Sequence, residues 1–128
     1  YPELGADTAA AGRLEAIRSN LEDLARDVTD PLEVVPGSDG AYVFIGKPPK
    51  KFGIAWIEGN EVKSFKSMMA EHNVTAQTLN RVSDELREAY QRHQEEARFR
   101  TTIADRAIVV TPSEPLEEEV RQILASMH

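Results

Sequence analysis

Ala41-Tyr42-Val43-Phe44-Ile45-Gly46-Lys47-Pro48-Pro49-Lys50-Lys51-Phe52-Gly53-Ile54-Ala55-Trp56-Ile57 is the stretch that decides the fold. Two short runs rich in β-branched and aromatic residues flank a loop stiffened by two prolines, which reads as strand, turn and strand. Along the second run Phe52, Ile54 and Trp56 share one face, while Gly53, Ala55 and Ile57 share the other. Both faces are apolar or small, so this strand is expected in the interior of a sheet.

Outward from there, Leu32–Val35 precedes the turn Pro36-Gly37-Ser38-Asp39-Gly40, and Glu61–Lys66 follows Glu58-Gly59-Asn60. Four strands joined by short turns make an antiparallel meander the simplest arrangement. Before it, Ala10, Leu14, Ile17, Leu21, Leu24 and Val28 form a narrow heptad-like stripe on a helix over residues 8–29. Asp7 is placed to cap that helix, and Thr29-Asp30-Pro31 ends it. After the meander a second long helix is expected from Thr75 to Ala97, with Leu79, Val82, Leu86, Tyr90 and Ala97 inward. Ala107–Val110, bounded by Pro112, reads as a buried strand. Ser113 and Pro115 open a last helix with Leu116, Val120, Ile123, Leu124 and Met127 inward. The expectation is one α+β domain over residues 1–128, with 1–6 a flexible N-terminal extension. Its sheet is mainly antiparallel with four or five strands, in the order α-β-β-β-β-α-β-α.

Composition narrows the chemistry. The chain has 128 residues, 41% of them hydrophobic, and a formal charge of −7, which suits an acidic globular domain. No run approaches the ~18 apolar residues that a membrane-spanning helix needs. The absence of cysteine excludes disulfides, thiolate metal sites and cysteine nucleophiles. Tyr1-Pro2-Glu3-Leu4 lacks the basic start and apolar core of a secretory signal, and a cytoplasmic location is expected. There is no Gly-x-Ser-x-Gly elbow, no His-Glu-x-x-His and no phosphate-binding glycine loop. His93 falls beside the apolar stripe of the second long helix, where a hydrogen-bonded, half-buried role is expected. His72 with Met68 and Met69 offers too few ligands for a metal, and His128 is terminal. Neither a metal nor a cofactor is expected, and the chain reads as non-catalytic. Tyr42, Phe44, Phe52 and Trp56 alternate on strands and are assigned to the core.

Two features point to contacts. All five lysines (Lys47, Lys50, Lys51, Lys63, Lys66) fall in residues 31–70, while every arginine lies outside that segment. Lys47, Lys50 and Lys51 flank the stiff proline turn and are expected to meet an acidic partner surface. The stripe of the first helix is the other feature. Leu14, Ile17, Leu21 and Leu24 suit either the chain's own sheet or a second copy, and a homodimer through them is expected. The leading function is therefore a binding or regulatory module working by protein–protein contact, with no membrane and no nucleic acid as partner.

One segment supports an alternative. Ala70-Glu71-His72-Asn73-Val74-Thr75-Ala76-Gln77-Thr78-Leu79-Asn80-Arg81-Val82 resembles the turn and second helix of repressor-type helix-turn-helix segments. That resemblance, spanning residues 69–88, implies Asn73 as the turn residue. It implies Thr75, Gln77, Thr78 and Arg81 facing a DNA groove. A small enzyme or ligand binder, with a pocket between the sheet and helix 75–97, is the second alternative.

Overall fold

The computed structural model describes residues 1–127; His128 lies outside the described residues. In chain order the elements are α1 (Ala9–Ala16), α2 (Arg18–Asp27), β1 (Leu32–Pro36), β2 (Gly40–Lys47), β3 (Lys51–Glu58) and β4 (Glu61–Ser64). They continue with α3 (Phe65–His72), α4 (Ala76–Arg92), β5 (Phe99–Ile103), β6 (Arg106–Val110) and α5 (Glu114–Ala125). The strands form one mixed sheet in the order β4-β3-β2-β1-β6-β5. The antiparallel meander is present in the register that the alternation requires, with Tyr42 opposite Trp56 and Lys47 opposite Lys51.

The architecture departs from expectation in several places. The sheet has six strands, not four or five, and β1 pairs with β6 in parallel, Glu33 opposite Val109. The unforeseen strand is β5. Its inward positions include Thr101, so its apolar alternation is weak. Its turn to β6 uses Ala104 and Asp105, both at positive φ (50° and 63°), without the glycine or asparagine that marks such turns. The first helix breaks at Ile17, where φ is −117° and ψ is 19°, just before Ser19 and Asn20, two weak helix formers. Thr8, rather than Asp7, caps it, accepting from the Ala11 amide at 3.1 Å. The second long helix ends at Arg92, which leaves Ala97 beyond it and exposed.

Helices cover both faces of the sheet. On one, Leu14, Ile17, Leu21 and Leu24 pack on Val34, Val43, Ile57 and Ile108. On the other, Val82, Leu86 and Tyr90 from α4 and Leu116 and Val120 from α5 pack on Phe44, Ile54 and Trp56. The stripe expected to offer Leu14, Ile17, Leu21 and Leu24 to a second copy is thus buried in the chain's own core, with exposures of 5%, 8%, 0% and 8%. A helix shows one apolar face, and here the sheet already covers it.

Two arginines fix the periphery. Arg106 donates to the carbonyls of Ala25, Val28 and Asp30, satisfying acceptors that the end of α2 leaves open. Arg100 ties down residues 1–6, expected as a loose extension. Its amide donates to the Pro2 carbonyl and its carbonyl accepts from Leu4, both at 2.9 Å, so this segment lies along the outer edge of β5.

Candidate functional site

The hairpin between β2 and β3 carries the predicted lysines. Lys47 and Lys51 are directly opposed at its end, Lys50 sits in the turn, and all three are exposed. Gly46 makes the approach to the turn feasible. Its φ is +112°, and a Cβ there would lie 2.9 Å from the Lys51 carbonyl. The Gly46 amide donates to the Pro31 carbonyl at 2.8 Å, fastening the turn to the start of β1. From the other side, Arg87 of α4 donates through Nε to the Pro49 carbonyl at 2.7 Å and stacks over Phe52 at 5.4 Å. Beside the tip is an open recess of about 450 Å³ lined by Asp30, Pro31, Ile45, Lys47, Lys51 and Phe52. Two ammonium groups, those of Lys47 and Lys51, thus border a shallow, partly apolar hollow on an anchored support, with Lys50 exposed in the adjoining turn. The other two lysines are placed apart: Lys66 is on α3, and Lys63 donates to Glu58 at 2.6 Å, a bond that raises the Lys63 pKa.

The segment resembling a helix-turn-helix has part of the expected geometry. Asn73 is left-handed at φ 56°, between α3 and α4, and Thr75, Gln77 and Arg81 are exposed. Thr78 is half-buried, and its hydroxyl accepts from Thr75 at 3.1 Å within the cap. Arg81 is paired with Glu85 at 2.7 Å. The helix itself lies on the sheet through Leu79, Val82, Leu86, Ala89 and Tyr90. Phe44 and Tyr90 meet edge-on there at 5.3 Å, so the space expected to hold a pocket under this helix is filled by side chains. Met68 is fully buried core, while Met69 and His72 are exposed. His93 is half-buried, 2.6 Å from a Glu119 carboxylate oxygen, and joins the end of α4 to α5.

Sequence reasoning missed a second concave place. Tyr42 and Trp56 form the floor of a groove between the sheet and α5, with Glu58, Glu117 and Arg121 at its rim. It consists of two adjoining recesses of about 200 and 150 Å³. Burial, and then the nearby Glu117 carboxylate, pushes the Tyr42 hydroxyl up to about 12, so it remains a protonated donor at neutral pH. Both aromatics were assigned to the core by alternation. The available signal was their type, since tyrosine and tryptophan carry a polar end that phenylalanine lacks.

No protein-family model matches the chain, and neither a curated protein nor a solved structure matches it. The class that fold and site define is an α+β protein with a mixed six-stranded sheet between helical layers. Among the described residues no helix is long and apolar enough to cross a membrane.

Proposed function

We propose that this chain is a non-catalytic binding module of the cytoplasm that acts through protein–protein contact, docking its Gly46–Lys51 tip on an acidic protein surface. The observation that carries this reading is the anchored tip: three exposed lysines on a turn held by Arg87 and by the Gly46 amide. A tip ordered before contact loses little entropy on binding. The chain as a whole is acidic, with a net charge of −7 even with these lysines counted, so the tip is the surface an acidic partner would seek.

A second copy has the required chemistry, because Glu114 and Glu118 of α5 and Asp23 and Asp27 of α2 are exposed. Such a tip-to-helix contact joins two different surfaces, which favours rings or open chains over a two-fold dimer.

Reversing Lys47, Lys50 and Lys51 to Glu together should change stability by less than about 1 kcal/mol, as exposed substitutions usually do. It should abolish recovery of the partner in pull-downs from the native host, and added salt should do the same to the unaltered protein. Self-association measured by sedimentation should respond likewise if the partner is a second copy. Partner binding indifferent to both charge reversal and salt would overturn the reading.

The left-handed Asn73 between α3 and α4 favours a second reading, a DNA-binding regulator using Thr75, Gln77 and Arg81. Against it, the exposed or half-exposed Asp84, Glu85 and Glu88 share the outer side of α4 and repel phosphates. No duplex mobility shift is expected near physiological salt; a shift abolished by Arg81→Ala would promote this reading over the first.

A further inference from the structure

We propose that the groove over Tyr42 and Trp56 binds a small zwitterion, a free α-amino acid or a compound carrying the same ammonium and carboxylate pair. The groove lies at the opposite end of the β2–β3 hairpin from the lysine tip, so this inference stands apart from the protein-docking reading.

The argument begins at Trp56. Its side chain is only 4% exposed, and its indole N–H, which can only donate, makes no hydrogen bond within the described residues. Buried indoles ordinarily find a partner. No side-chain nitrogen or oxygen that is fully shut off from solvent lacks a partner among the described residues, so this N–H keeps some exposure, and the groove is the recess that Trp56 lines. Tyr42, directly opposite on β2, brings a hydroxyl that likewise has no hydrogen-bond partner among the described residues and keeps its proton. Two neutral donors thus belong to side chains that line one recess, and together they call for an acceptor oxygen.

The rim supplies charge of both signs. Arg121 is more than half exposed and, among the described residues, is paired with Glu117 at 3.3 Å and Glu118 at 3.9 Å, which leaves guanidinium donors for a carboxylate. On the sheet side the recess is lined by Glu58, which Lys63 holds, and by Asp39 of the β1–β2 turn, while Glu117 stands on α5 beside Arg121. Three carboxylates against Arg121 and Lys63 leave one negative charge in excess, which suits an ammonium group. A carboxylate set toward Trp56, Tyr42 and Arg121, with the ammonium toward Glu58 and Asp39, engages all five side chains together. Size sets the class: about 200 Å³ in the main recess is below the ~300–1,000 Å³ that takes a drug-sized ligand.

Trp56 is the only tryptophan in the chain, so its emission reports directly on occupancy. The full chain would be titrated with each of the common amino acids. Butylamine and butyrate serve as probes that carry one charge only. We expect a saturable emission change with one or more amino acids and none with either single-charge probe. Tyr42→Phe and Arg121→Gln should each weaken that binding about tenfold, the loss of one hydrogen bond or more, with an unchanged circular dichroism spectrum. Arg121 is exposed, so its variant keeps the test valid if Tyr42→Phe disturbs folding. Silence up to about 10 mM, ten times the constant of a weak millimolar site, would overturn the proposal. So would an equal response to butylamine, or binding insensitive to both variants.

Discussion

Glu33 is the residue on which most distant parts of the chain converge. It is 8% exposed, and its carboxylate accepts from the Tyr90 hydroxyl at 2.8 Å, the Thr111 hydroxyl at 2.7 Å and Arg98 Nε at 3.2 Å. Arg98 also lies over the Tyr90 ring at 5.3 Å and donates to the Gln94 and Glu96 carbonyls. A buried charge of this kind is tolerable because every partner is present. Glu33→Gln keeps the shape but leaves the Arg98 cation without its counter-ion. The expected cost is about 2–4 kcal/mol, read from the urea midpoint. Tyr90 gives the same cluster a signature in alkali. Burial, then its bond to Glu33, pushes its hydroxyl up to about 12 from an ordinary 10.0. The folded chain therefore keeps a proton that the unfolded chain releases. Stability from this group is fully present below pH 10 and is lost as pH rises through 12, in all of order 2–3 kcal/mol. Denaturation midpoints measured across that window should fall, and Tyr90→Phe should lessen the fall, Tyr42 supplying a similar share of it.

Among the elements, the α1–α2 pair shows what an apolar stripe does and does not disclose. Leu21 is completely buried against the sheet, so Leu21→Glu should abolish cooperative unfolding rather than release a folded monomer. Circular dichroism with sedimentation separates those outcomes; a folded, lighter species would restore the dimerising helix. The spacing of Leu14, Ile17, Leu21 and Leu24 revealed a helix and its buried face correctly, but a stripe carries no record of which surface covers it. The break at Ile17 was equally hidden, because no proline or glycine marks it. β5 escaped notice because Arg100 and the two threonines dilute its alternation, and because Ala104 and Asp105 form a turn with the wrong residue types for their φ. At the sites the division was similar. Lysines beside a stiff turn were legible, since charge is exposed by default. The Tyr42–Trp56 groove was not, because whether α5 covers a ring completely depends on where the helix ends.

At the scale of the whole molecule, the two sheet edges are treated differently. β4 is only four residues long, which limits pairing with other chains, whereas the outer edge of β5 is covered by residues 2–4. Removing Tyr1–Leu4 should cost about 1–2 kcal/mol for its two backbone hydrogen bonds. It should also make the protein associate in a concentration-dependent way that light scattering would detect. The interior of the sheet holds one further consequence. The meander and the β5–β6 hairpin are each assembled from neighbours in the chain, but β1 joins β6 across more than seventy residues. On the ribosome the meander emerges first and must wait, one flank of β1 bare, until Val109 and Val110 have been synthesised. The Glu33 cluster sits at that same join, with Thr111 arriving directly behind β6 and its amide donating to the Val34 carbonyl at 2.9 Å. β6 therefore brings with it the hydroxyl that checks its own alignment, and the sheet closes only when that late segment reaches its early partner.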